Sequence, residues 1–141
     1  MRYLPEALAP LAAYRQFVAC QFVPDLEKPG KTHKYPMNIA TGKRHDAHDP
    51  NIWVDADTAI RVATGWGLTP DANGVHYGVG FTFTEQDPFF FIDIDACIDS
   101  TGAYTPIVAE LCGQLSGAAV EISQSGRGLH IIGTGTAPAH R

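Results

Sequence analysis

FFFIDIDAC, residues 89–97, joins a run of four apolar residues to two aspartates separated by a single isoleucine. An apolar run of this length, rich in aromatic and β-branched residues, predicts a strand over Phe89–Asp95. Side chains alternate between the faces of a strand, so Asp93 and Asp95 point one way and Ile92 and Ile94 the other. Strands disfavour Asp, and two carboxylates about 7 Å apart on one face repel unless something positive lies beside them. A hard divalent cation, Mg²⁺ or Mn²⁺, is the usual remedy, held by one or two carboxylates together with substrate phosphates. The other reading is a solvated pair at the exposed end of a strand. D-x-D alone is weak, because sugar-nucleotide transferases, phosphatases and nucleases also carry it.

Working outward, Tyr77–Thr84 (YGVGFTFT) alternates as a strand does, and Glu85-Gln86-Asp87-Pro88 breaks it, which predicts a hairpin with the acidic strand. Thr105-Pro106 opens a helix whose Ile107, Val108, Leu111 and Leu115 recur at helical spacing. Val120–Ser123 and Leu129–Gly133 read as strands around a tight loop, 124–128. Upstream, Phe17–Val23 (FVACQFV) is a buried strand. Asp55 or Asp57 caps a helix through Ile60, Val62 and Ala63, with Gly65 and Gly67 as stop signals. Pro5–Tyr14 suits a short helix limited by Pro10. Pro24–Asn51 reads as a long polar loop. The expected fold class is α+β, one sheet with helices packed on one face and no doubly wound alternation.

Composition bounds the rest. With 141 residues, 45% apolar and 18% charged, the chain fits one compact globular domain. No apolar run reaches the roughly 20 residues of a membrane span, and the N-terminus, broken by Pro5 and Pro10, has no signal-peptide core. A soluble protein without membrane contact is expected. Cys20, Cys97 and Cys112 form no C-x-x-C pair, which suits a reducing, intracellular compartment. The net charge of −5 argues against gripping duplex DNA by bulk electrostatics.

EISQSGRGLHIIG, residues 121–133, is the second informative stretch. Gly126 and Gly128 allow backbone conformations that turn N–H groups toward an anion, Ser125 adds a hydroxyl and Arg127 a planar cation. His130 stands in an apolar strand, where imidazole is unexpected. It either donates to a triphosphate or is an ordinary strand histidine. Glu121 either faces the same site, supports the loop or lies on the surface.

Two weaker features lie in the polar segment. H-D-x-H-D, His45 to Asp49, has two histidines at zinc-like spacing but no third His or Cys pair, so a solvated loop is the default. Lys28, Lys31, Lys34, Lys43 and Arg44 are five of the chain's ten Lys and Arg. With Tyr35 or Trp53 as stacking surfaces, they read either as a nucleic-acid-facing flap or as an ordinary charged loop. Trp66 and the three phenylalanines of FFF are expected in the core.

Taken jointly, GVGFTFTEQDPFFFIDIDAC (78–97), VEISQSGRGLHIIGTG (120–135) and the upstream KYPMNIATG and DPNIW resemble the archaeo-eukaryotic primase superfamily, most closely the primase-polymerase domains of phages and plasmids. The resemblance runs from about Tyr14 to about Gly135. It implies an RRM-like core, a mostly antiparallel sheet with helices against it, and a DNA primase/polymerase-type nucleotidyltransferase. Asp93 and Asp95 would hold Mg²⁺ or Mn²⁺. Ser125, Gly126, Arg127, Gly128 and His130 would take the triphosphate of a (d)NTP, with His130 among the catalytic residues and Lys34 a further phosphate or template contact. A single-stranded DNA template or primer-template would be the partner, with a helicase or zinc module downstream, in the cytoplasm of a bacterium or encoded by phage or plasmid. The superfamily's third motif, an acidic residue on a later strand, has no counterpart in GTGTAPAHR (133–141). A single domain over 1–141, ending before that motif, is therefore expected. The competing readings are a catalytically incomplete nucleotide- or DNA-binding module of the same fold and a metal-dependent phosphohydrolase or nuclease.

Overall fold

The computed structural model describes residues 4–115, 117–123 and 126–135. The architecture is α+β with antiparallel strand pairing. Two compact units divide the chain, Met1–Thr82 and Phe83–Arg141.

The first unit is a four-stranded sheet in the order β3-β2-β1-β4, formed by β1 (Phe17–Pro24), β2 (Thr32–Asn38), β3 (Lys43–Arg44) and β4 (His76–Phe81). β1 takes the interior position because its residues Phe17 to Cys20 are all buried, which matches the apolar reading of FVACQFV. A 3₁₀ helix, Glu6–Ala13, precedes it. Helix α1 (Ala56–Trp66) packs on β1 and β4 and buries a stripe of Ala56, Ala59, Ile60 and Ala63. Its start is fixed by Asp55, whose carboxylate accepts from the Thr58 N–H at 2.7 Å. Its end is fixed by Gly67, at φ 123°, two residues beyond Gly65, which the helix absorbs.

The polar segment after β1 is not one long loop, for it contains β2 and β3. The Asp25 carboxylate closes the β1–β2 turn by accepting from the N–H groups of Glu27 and Lys28 at 2.9 and 3.1 Å and pairing with His33 at 3.0 Å. Pro36, a residue that argues against a strand, is tolerated for a geometric reason. Its carbonyl accepts from His45 N at 2.9 Å, and a residue's N and C=O share one side of an antiparallel strand. The missing N–H therefore falls on the side of the two-residue strand β3, away from the β1 ladder.

The second unit is a three-stranded sheet in the order β5-β7-β6, with β5 (Phe89–Ile94), α2 (Pro106–Gln114), β6 (Ala119–Ile122) and β7 (Leu129–Thr134). β5 and β6 both run antiparallel to β7 and hence parallel to each other, so β5-α2-β6 is a split βαβ unit with β7 between its strands. Ile94, Cys97, Ile98, Val108, Cys112 and Leu129 pack together under the sheet.

Several expectations are corrected. β4 and β5 form no hairpin: β4 pairs with β1 and β5 with β7. The Asp87 carboxylate, accepting from Thr84 N at 2.7 Å and Phe89 N at 3.1 Å, folds the connection into a closed loop, not a two-residue turn. Phe91 is 43% exposed, since three consecutive strand residues cannot all face one core. Ile107 faces outward and Trp66, at the last turn of α1, is only partly covered. Among the described residues no helix is long and apolar enough to cross a membrane, and all three cysteines are free thiols. Burial pushes the Cys20 thiol above its ordinary range, against the opposing charge of Lys34.

Candidate functional site

The register of the second sheet brings three polar residues into line. Asp93 on β5 stands opposite His130 on β7, and His130 stands opposite Glu121 on β6. Directly opposed residues in antiparallel strands project to one face at close spacing, so the three form one rung across the sheet. The His130 Nδ1 lies 2.8 Å from Glu121 Oε1, and its Nε2 lies 3.5 Å from Asp93 Oδ1. The ring of Phe91, one step along the same face of β5, sits 5.0 Å from the imidazole and 5.3 Å from Phe83. The imidazole thus bonds one carboxylate through Nδ1, faces a second across Nε2 and has an aromatic ring beside it. Its side chain keeps 25% exposure, while those of Asp93 and Glu121 keep about half of theirs.

Asp95 lies one residue beyond the end of β5 and is exposed. It is followed by Ala96 at φ 52°, the one positive-φ non-glycine among the described residues. A β-carbon disfavours that region, and such residues persist only where the surroundings enforce them. Here the surroundings are the glycine loop. The Arg127 carbonyl accepts from the N–H groups of both Cys97 and Ile98, at 2.8 and 3.0 Å. A β-carbon on Gly128 would stand 2.7 Å from the Ile94 carbonyl and 2.9 Å from Ser123 Oγ. The loop therefore sits directly against the backbone that delivers Asp95, and only glycine permits the approach.

Among the described residues, both glycine N–H groups bond within the loop. Gly126 N donates to the Ser123 carbonyl at 2.9 Å, and Gly128 N to Ser123 Oγ at 3.1 Å. Both glycine N–H groups close the turn, so Gly126 (φ 77°) and Gly128 shape the loop while Arg127, exposed at its tip, presents the charge. Ser125 lies outside the described residues. Lys34 belongs to the first unit, on β2, with its ammonium near Cys20 and Gly80.

The residue that sequence reasoning undervalued is Glu121. Its signal was the pattern of apolar neighbours at Val120 and Ile122, which places it alone on the opposite face of β6; the register with His130 required the fold. H-D-x-H-D resolves into local structure. His45 pairs with Asp49 at 2.7 Å, Asp49 caps the 3₁₀ helix Pro50–Ile52, and Asp46 accepts from His48 N at 3.0 Å. The bond from His45 and those from Asn51 hold the Asp49 carboxyl below the ordinary range. Among the described residues no group of three or more His, Cys, Asp or Glu is arranged to hold a metal ion.

The site therefore offers two exposed carboxylates on adjoining backbone, an imidazole oriented by Glu121 and a glycine loop carrying a cation. An all-oxygen donor pair of this kind fits a hard divalent cation that completes its shell with water and phosphate oxygens. Asp95 has no basic partner among the described residues, which leaves its charge available for such an ion.

No protein-family model matches the chain. Over 132 residues, 94% of its length, it is 33% identical to the DNA primase-polymerase of Nitratiruptor phage NrS-1. The chain spans 16% of that relative's length. Matched residues that make up 94% of the chain take in both units.

Proposed function

We propose that the chain binds a nucleoside triphosphate through a divalent metal at Asp93 and Asp95 and forms part of a primase-polymerase nucleotidyltransferase. The observation that carries this reading is the junction of the acidic strand with the glycine loop, where Arg127 and Gly128 bind and pack against the segment holding Asp95. In this reading Asp93 and Asp95 hold Mg²⁺ or Mn²⁺, which supplies charge neutralisation of the triphosphate and a lowered pKa for the attacking 3′-hydroxyl. Arg127 contributes a planar donor to phosphate oxygens. His130 donates toward the phosphates from the ring edge that faces Asp93, and Glu121 fixes the ring's orientation through Nδ1. Single-stranded DNA or a primer-template is the second substrate.

The absence of a three-ligand cluster among the described residues favours one alternative, a module that binds nucleotide without turning it over. Calorimetry with dATP or ATP and Mn²⁺ tests the reading. Metal-dependent binding in the wild type, lost in both Asp93→Ala/Asp95→Ala and His130→Ala, is expected. Folded wild-type protein that binds neither nucleotide sinks it. Nucleotide binding without incorporation onto a primer selects the alternative.

A further inference from the structure

Beside the polar rung of the second sheet lies an apolar one. Phe91 on β5 stands opposite Ile132 on β7, and Ile132 stands opposite Ala119 on β6. Opposed residues share a face and residues two apart along a strand return to it, so this rung adjoins Asp93, His130 and Glu121. The preceding residue shows how an aromatic side chain packs in this sheet. Phe90, on the other face, closes over Gly133, where an added β-carbon would collide with the phenyl ring. Phe91 has no such cover. It is 43% exposed, with its ring 5.0 Å from the His130 imidazole and 5.3 Å from the Phe83 ring.

The order of groups along β5 selects what this ring meets. The loop that carries Arg127 is bound at the C-terminal end, where the Arg127 carbonyl accepts from Cys97 and Ile98. Asp95 and then Asp93 come next, and Phe91 is one further step of about 7 Å toward the strand's N-terminus. Cation, carboxylates and aromatic ring thus follow one another along one strand. A nucleoside triphosphate has the same succession: an anionic tail, a phosphate bridged to metal, and an apolar planar base. With its tail toward Arg127 and its metal at Asp93 and Asp95, such a ligand runs its nucleoside toward Phe91. Ile132 and Ala119 bring no side-chain donor or acceptor to that rung, so contact there is by stacking and apolar packing. Base–aromatic stacking accepts every base, because every base has a π-face, which suits a site whose choice of base comes from a template.

We infer that Phe91 is the nucleoside-contacting residue of the triphosphate site, its ring stacking on the base of the bound nucleotide. The inference rests on the reading of Asp93 and Asp95 as metal ligands. Its test is calorimetry of the full chain with Mn²⁺ and three probes: dATP, dTTP and an abasic deoxyribose triphosphate, which lacks only the base. Circular dichroism confirms the fold of each variant. Wild-type protein is expected to bind both nucleotides about ten-fold more tightly than the abasic probe, in line with one stacked base. Phe91→Ala should remove that advantage and leave affinity for the abasic probe unchanged, and Phe91→Trp should restore it. Equal loss for all three probes in Phe91→Ala overturns the inference, since the ring would then act by supporting His130. Nucleotide binding untouched by Phe91→Ala, or a wild type that binds the abasic probe as tightly as dATP, overturns it too. In those cases nucleotide binding that still depends on Asp93 and Asp95 leaves the triphosphate reading standing. Folded wild-type protein that binds none of the three probes removes both.

Discussion

The two sheets are built alike and charged differently. Each is antiparallel and each carries one polar rung across three strands: Tyr35–Gln21–Tyr77 in the first unit and Asp93–His130–Glu121 in the second. In the first, Gln21 bonds Tyr77 and Arg44, and the charge left over is a guanidinium. In the second, one imidazole lies between two carboxylates, with Asp95 a third acid at the strand end, so negative charge is in excess even with the imidazole protonated. The same three-strand rung thus leaves a guanidinium beside aromatic rings in one unit and an excess of carboxylates in the other. The register sets which side chains meet, and the residue types decide what they attract.

The largest effect that tests the contrast falls on the acidic rung. Asp93→Ala/Asp95→Ala removes both exposed acids of the β5 end, so metal-dependent triphosphate binding should fall below detection by calorimetry while the fold persists, since both side chains point away from the Leu129 core. Mg²⁺-linked binding that survives in this variant would break the contrast, because the metal would then be held elsewhere.

Gly128→Ala is expected to cost about 1–3 kcal/mol in urea unfolding, the range for forcing extra volume into a packed site. The contacts that forbid it are the Ile94 carbonyl at 2.7 Å, a backbone atom that cannot swing aside, and Ser123 Oγ at 2.9 Å. Gly126→Ala tells the two glycines apart, because nothing lies within 4 Å of its β-carbon and its cost comes from the φ of +77° alone. Equal destabilisation in both variants would mean that the loop's packing on β5 is not what fixes it.

Most of this layout was legible before the fold was known. A strand from Phe89 through the first aspartate, a helix start at Asp55 or Asp57, and the loop between β6 and β7 follow from alternation, capping and glycine spacing, all local properties of the chain. What was not legible depended on pairing. Pro36 and the lysines around it hid β2, because a proline beside a two-residue edge strand has the same local sequence as a loop. The hairpin of β4 with β5 was expected from adjacency, yet each strand found a better partner far along the chain. Glu121 had three readings until β7 placed His130 opposite it.

Glu121→Ala is the next smaller effect. It leaves His130 Nδ1 without its 2.8 Å partner and frees the ring to turn, and loss of a hydrogen bond to a charged group is worth about 1.5–3 kcal/mol, so triphosphate affinity should fall at least about ten-fold. Glu121→Gln retains an acceptor oxygen and should recover most of the loss. A structural role would not move the ring nitrogens, so the ¹⁵N shifts of His130, read without nucleotide, distinguish positioning from general support. Unchanged shifts in Glu121→Ala would remove Glu121 from the site.

The smallest effect separates the helices of the two units by pH. α1 begins at Asp55, whose carboxylate accepts from Thr58 N, whereas Thr105 at the start of α2 makes no side-chain cap and relies on Pro106. The Thr58 backbone N–H, then the Thr58 hydroxyl and the charge of Arg15, hold the Asp55 carboxyl below the ordinary aspartate range. A depressed folded-state pKa contributes stability that is present above the unfolded value, about 3.9, and lost as pH falls through the folded one. The Thr58 amide should therefore lose hydrogen-exchange protection below about pH 4 while the first turn of α2 is unaffected by loss of a cap. Asp55→Asn keeps an acceptor that does not titrate, so in that variant the protection of Thr58 should no longer follow pH. If Thr58 fades with acid in Asp55→Asn as in the wild type, the acid sensitivity of α1 lies outside its cap, and the two helices differ in their start signals without differing in their response to pH.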